Sequence, residues 1–168
     1  MIPQIKKILY ATDLSKNSAY AFYYAADLAK KYGASIVILH VVEPVPLVYT
    51  EGGTSILRSI EKQQQKSDMS DIEERVREFC GRIEKSAGYP CMEHVSRSLV
   101  PVGYPVEEIL KAADDEGCDV IVLGSHGKGF LRQTFLGSVS ASVLQRARKP
   151  VFVIPLPSEK TKIDWDNI

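Results

Sequence analysis

The sequence predicts a single α/β domain: a doubly wound parallel sheet of five strands with helices on both faces. Three observations predict it. Short apolar runs rich in β-branched residues recur along the chain and read as strands buried on both faces. Between them lie segments whose apolar residues repeat at helical spacing. The chain has 168 residues, enough for one such domain with its own core. Strands alternating with helices argue for a mostly parallel sheet, and right-handed crossovers restrict its topology.

The elements follow in order. Ile5 to Tyr10 reads as a buried strand. Asp13 and Ser15 then offer N-cap chemistry for a helix to about Tyr32, with Ala19, Phe22, Tyr23, Ala26 and Ala29 on one face. Gly33 is its stop. Ser35 to Val42 is the second strand. Glu43 to Gly53 holds Pro44, Pro46, Gly52 and Gly53 and reads as a long loop. A helix capped by Thr54 or Ser55 runs to about Ala87, with Ile72, Val76, Phe79 and Ile83 as its stripe. Its polar middle, Glu61 to Asp71, reads as a solvated face. Cys91 to Leu99 is a mixed edge strand with His94 exposed on it. Pro105 suits the first turn of a helix whose face is Val106, Ile109, Leu110 and Ala113, ending at Gly117. Asp119 to Leu123 is the fourth strand. Ser138 to Arg148 is a helix with Val139, Val143, Leu144 and Ala147 inward, and Val151 to Ile154 is the last strand. Residues 1–157 make one domain; residues 158–168 form a polar tail carrying Trp165.

Composition removes several function classes. Acidic and basic residues number 21 each, so no global field favours nucleic acid or an acidic membrane. No apolar stretch approaches the length of a membrane span, and no secretory signal is visible. Cys80, Cys91 and Cys118 form no C-x-x-C pair and read as buried reduced thiols of a cytoplasmic protein. The histidines and scattered acids make no metal-ligand spacing.

The chemistry gathers in one segment. Gly124-Ser125-His126-Gly127 follows a buried strand; after nine residues, Gly137-Ser138-Val139-Ser140 opens a helix. Such a loop presents unpaired backbone N–H groups and the positive end of the helix dipole to an anion. Glycines let the backbone approach closely. Ser138 and Ser140 add hydroxyl donors, and Lys128 and Arg132 lie near in sequence, as phosphate contacts or as ordinary solvated charges. The pattern is not the Walker one, since Gly127-Lys128 is followed by Gly129. Nor is it the Rossmann one, since the first turn, Ala11-Thr12-Asp13, lacks glycine.

Gly-x2-Gly-x9-Gly-Ser, matched at Gly124, Gly127, Gly137 and Ser138, resembles the ATP-binding motif of the universal stress protein family. The resemblance extends to Lys7 through Ser15, to His40-Val41, to Gly103-Tyr104-Pro105 and to Lys149-Pro150-Val151. It implies strand order 3-2-1-4-5, the adenine nucleotide α-hydrolase-like arrangement, with a topological switch point between strands one and four where ligands bind. It implies ATP, or AMP or ADP, as ligand, with any Mg or Mn arriving through the phosphates. Ala11, Thr12, Asp13 and Val41 would line the adenine and ribose end, with Gly103 near the ribose. Gly124, His126 and Gly127 would follow ribose and phosphates, and Gly137, Ser138, Val139 and Ser140 would hold the phosphates. The family often has proline where this chain has Ala11; alanine keeps the site small. The resemblance also implies a homodimer through Val151, Phe152, Val153 and Ile154, an edge that invites pairing.

Plainer roles stand beside these. Asp13 can serve as an N-cap alone. His126 lacks an acid or base partner close in sequence, which favours a positional role over general base catalysis. His40 reads as a hydrogen-bonded structural histidine. The 43–53 loop leaves the same edge of the sheet and is placed to act as a lid. A nucleotide-binding regulatory module is the first functional reading. A slow ATPase or nucleotidyl transferase in the same pocket is the second, weakened by the lack of a water-activating carboxylate or arginine finger beside the motif. A dimeric interaction protein without nucleotide is the third, opposed by the intact glycines.

Overall fold

The computed structural model describes residues 2–46, 53–127 and 136–155. Lys128, Arg132, Trp165 and most of the expected lid lie outside them. Among the described residues the strands are β1 (Lys7–Ala11), β2 (Ser35–Leu39), β3 (Val95–Leu99), β4 (Val120–Gly124) and β5 (Val151–Ile154). They form one parallel sheet in the order β3-β2-β1-β4-β5, the order expected. The helices are α1 (Lys16–Tyr32), α2 (Gly53–Ala87), α3 (Pro105–Asp115) and α4 (Ser138–Arg146). None is long and apolar enough to cross a membrane.

The inner strands β1, β2 and β4 are buried almost throughout because each face meets a helix layer, whereas the edge strand β3 is mixed. Successive side chains point to opposite faces. Ile8 and Tyr10 join Ile36, Ile38, Val120 and Val122 in one core, closed by Phe22 of α1 and Ile72, Val76 and Phe79 of α2. Leu9 and Ala11 join Val37, Leu39, Ile121 and Leu123 in the other, closed by Ile109 of α3 and Val143 of α4. Phe22 is fully buried and touches Tyr10 edge-on, with ring centroids 5.3 Å apart, and Phe79 at 5.9 Å. Helix α1 ends where Gly33 adopts φ 63° and returns its N–H to the Ala29 carbonyl.

Several expectations are corrected. The second strand stops at Leu39; beyond it the His40 N–H still donates to the Leu99 carbonyl, and an isolated bridge, Val42 to Val102, continues the pairing. The third strand is shorter than expected. Cys91–His94 forms a 3-10 turn whose cysteine is buried, and Nδ1 of His94 lies 2.8 Å from the Ala34 carbonyl, so His94 is half-buried, not exposed. Helix α4 stops at Arg146, since Pro150 ahead disfavours helical backbone. Leu144, expected inward, is 52% exposed. The inward arc of α4 runs through Val139, Val143, Ala147 and Ser140, and Leu144 falls beyond its edge. In α2, Asp68 is buried within the run expected to be solvated.

Phe22→Ala removes a ring packed between Tyr10 of β1 and Phe79 of α2 and is expected to lower stability by about 4 kcal/mol. Urea unfolding followed by circular dichroism measures it; a loss below about 1 kcal/mol would contradict the packing described.

Candidate functional site

The carboxyl ends of β1 and β4 diverge, because the chain crosses to one side after β1 and returns to the other at β4. Beyond β1, the Thr12 N–H donates to the Leu39 carbonyl at 2.9 Å and prolongs the sheet ladder by one rung. The Thr12 hydroxyl accepts from the Leu14 N–H at 3.0 Å and shares a hydrogen bond with the Ser18 hydroxyl at 2.8 Å. Leu14 has φ 65°, and it is the one non-glycine with positive φ among the described residues. Arg75 of α2 donates to its carbonyl at 2.7 Å. The N-cap of α1 is Ser15, which accepts from the Ser18 N–H at 3.2 Å. Asp13 is therefore not the cap. One of its oxygens accepts from the Ser15 N–H at 3.0 Å in an Asx turn. The other, Oδ2, lies against Gly127.

Beyond β4, the glycine segment folds back across that turn. The Ser125 N–H donates to the Ile154 carbonyl at 2.8 Å, and the Gly137 N–H donates to the Ser125 carbonyl at 2.7 Å. A Cβ on Gly137 would stand 3.0 Å from that carbonyl oxygen, and one on Gly124 would stand 2.8 Å from Nδ2 of Asn17. A Cβ on Gly127 would run into Oδ2 of Asp13. The approach at Gly137 is to backbone, whereas at Gly124 and Gly127 a side chain would have to displace the tip of Asn17 or Asp13. Gly137 is the N-cap of α4 and supplies no side-chain bond, so the N–H groups of Ser138, Val139 and Ser140 have no intrahelical acceptor. Ser138 is exposed. The Ser140 hydroxyl, expected to face an anion, is buried and donates to the Gly124 carbonyl at 2.7 Å, pinning the helix start to the strand end.

The remaining expected residues flank this crevice. Ala11 is the last residue of β1 and is buried in the α3/α4 core. Val41 packs on the same core, and Gly103 donates its N–H to the Val42 carbonyl at 2.9 Å. Nδ1 of His126 lies 2.8 Å from the Ser125 hydroxyl. Serine beside imidazole is the contact of a nucleophile and its base. Here both side chains are buried, so the contact positions the loop. Tyr10 is buried beneath the turn and donates to the Ser18 carbonyl at 2.6 Å; burial pushes its phenol well above the usual range, so it stays a donor.

Sequence reasoning missed Asn17 and Asp68. Nδ2 of Asn17 donates to the His126 carbonyl, tying α1 to the glycine loop. Asp68 faces Nε2 of His40 at 2.9 Å, while Nδ1 of His40 lies 2.9 Å from the Thr12 carbonyl. The structural role expected for His40 is what the structure gives it. A buried asparagine in the first turn of a helix has no sequence signal; the spacing of Asp68 from Ile72 does.

Comparisons with known proteins bear on the family and the fold. The model of the universal stress protein family matches residues 4–155. Universal stress protein MJ0577 of Methanocaldococcus jannaschii is 29% identical over 157 residues, covering 89% of this chain and 94% of the relative. Universal stress protein YxiE of Bacillus subtilis is 33% identical over 150 residues, covering 88% and 97%. Among solved structures, the universal stress protein UspA of Lactobacillus plantarum superposes with TM-score 0.73 at 21% identity, over 91% of this chain and 99% of that one.

Ser140→Ala leaves the buried Gly124 carbonyl without its donor. It is expected to cost about 2 kcal/mol, read as a drop in the thermal midpoint. An unchanged midpoint would show that the pin between α4 and β4 contributes little.

Proposed function

The chain belongs to the universal stress protein family, and on that footing we propose that it is an adenine-nucleotide-binding regulatory module that takes ATP. The observation that carries the reading is the close approach at Gly124, Gly127 and Gly137, where a side chain would crowd Asn17, Asp13 and the Ser125 carbonyl. These close approaches sit at the divergence of β1 and β4, beside helix N–H groups that lack intrahelical acceptors. A backbone cradle with these properties suits phosphate. Ala11, Thr12, Asp13 and Val41, with Gly103, form the base and ribose end. Gly124, His126, Gly127, Gly137, Ser138, Val139 and Ser140 form the phosphate end, Ser140 through its backbone N–H. Any Mg or Mn enters with the phosphates. Structures of relatives support an adenine ligand: one universal stress protein was solved in complex with cAMP, and one from Archaeoglobus fulgidus in complex with dAMP.

The same reading includes a cytoplasmic homodimer. Strand β5 pairs only with β4 among the described residues, and its Phe152 is 42% exposed. A free edge with a large apolar side chain favours pairing with a second copy. The 43–53 loop is part of the proposal as a lid over the base, and residues 1–157 act as one unit.

Calorimetric titration with ATP, ADP and AMP tests the nucleotide. Gly127→Ala sets a methyl group against the Asp13 carboxylate and is expected to weaken binding at least tenfold, about 1.4 kcal/mol. Failure of the unaltered protein to bind any of the three would sink the reading, and release of ADP or AMP from ATP would move it to an enzyme. For the dimer, Phe152→Lys is expected to halve the mass seen by sedimentation equilibrium. A monomeric unaltered protein at micromolar concentration would contradict it.

A further inference from the structure

Helix α2 is 35 residues long, about 50 Å, and its inner face changes character halfway. Positions 61, 65, 68, 72, 76, 79 and 83 recur at steps of three and four and so lie on one stripe. The second half of that stripe is apolar: Ile72, Val76, Phe79 and Ile83 pack on the core. The first half is polar, and its members reach the segments that follow β2 and β3. Oε1 of Glu61 accepts from the Val45 N–H at 3.3 Å, beyond β2. Nε2 of Gln65 donates to the Val100 carbonyl at 2.8 Å, beyond β3. Asp68, only 8% exposed, meets His40.

The Asp68 contact reaches the candidate site. The Thr12 carbonyl can only accept, so Nδ1 of His40 carries a hydrogen. Nε2 then faces Oδ2 of Asp68 at 2.9 Å. Oδ1 of Asp68 accepts from Nε2 of Gln64 at 2.7 Å. Both oxygens of Asp68 and both ring nitrogens of His40 are thus engaged in a single arrangement. Apolar contacts tolerate small slides, but a buried imidazole between a carboxylate and a carbonyl does not. Helix α2 and the Thr12 backbone are therefore fixed together or released together.

We propose that Asp68 and His40 are positioning residues that couple nucleotide binding to the docking of the N-terminal half of α2. The inference rests on the nucleotide reading above. Ligand at Thr12 and Asp13 favours the state in which the Thr12 carbonyl holds His40, and His40 holds the helix through Asp68. By reciprocity, whatever engages that half of α2 alters nucleotide affinity by the same factor.

Amide hydrogen exchange of the full chain with and without ATP, alongside titration calorimetry, tests this. In the unaltered protein, ATP is expected to slow exchange at residues 61–71 several-fold. Asp68→Ala is expected to weaken ATP binding three- to tenfold and to abolish the ATP-dependent slowing at 61–71, while amides of β1 and β4 keep theirs. Asp68→Asn can accept from Gln64 and donate to Nε2 of His40, so it is expected to restore both affinity and slowing. A merely structural Asp68 would lower the thermal midpoint without separating the two regions. Unchanged affinity and slowing in Asp68→Ala, or no slowing at 61–71 in the unaltered protein that binds ATP, overturns the coupling alone. If the unaltered protein binds no ATP, ADP or AMP, the nucleotide reading falls and takes the coupling with it.

Discussion

Strand β1 pairs with β2 on one side and β4 on the other, and the rest of the molecule is arranged around that double pairing. A central strand with neighbours on both edges is buried on both faces, so every residue of it must be apolar or sealed. It also forces the chain to leave in opposite directions at its carboxyl end. The crevice is that divergence. Thr12 and Asp13 emerge on one wall; Ser125 to Gly127 emerge on the other. Asn17 and the Asp13 carboxylate span the gap between them.

The walls are unlike in construction, and the difference bears on what they recognise. The Thr12 wall is held by side chains: the Thr12 hydroxyl, the Asp13 carboxylate, an arginine and a histidine fix its backbone. The glycine wall is held mainly by backbone carbonyls and N–H groups, pinned by Ser140 and Asn17. A wall of side chains supplies shape; a wall of bare backbone supplies N–H groups at close range. Base and phosphate place those two demands on a protein, which is why the proposal assigns one end of the nucleotide to each.

Much of this was legible in the sequence. Continuous β-branched runs announced strands buried on both faces, and the glycine spacing announced close approach at Gly124, Gly127 and Gly137. What escaped was polar and buried. A run such as Glu61 to Asp71 reads as solvated because composition cannot say which charge has a partner. The helical stripe at 61, 65 and 68 continues that of Ile72, Val76 and Phe79 without a break, so period was the available signal and hydrophobicity alone concealed it. Leu144 misled in the opposite sense: an apolar residue at a permitted spacing sits just past the buried arc. Asp13 and Ser15 both offered capping chemistry, and the structure gives the cap to Ser15 and an Asx turn to Asp13.

Leu14 is an odd choice for a left-handed turn, where glycine or asparagine adopts φ 65° with less strain. Its side chain packs against the α1/α2 core, and its carbonyl is gripped by Arg75. Glycine there would relax the backbone yet free the peptide to sample other shapes. The leucine exchanges local comfort for a turn with one conformation. Substitutions that raise stability at this position therefore oppose those that keep Thr12 and Asp13 preorganised, and selection for a hardier fold would erode the site from its hinge rather than from its glycines.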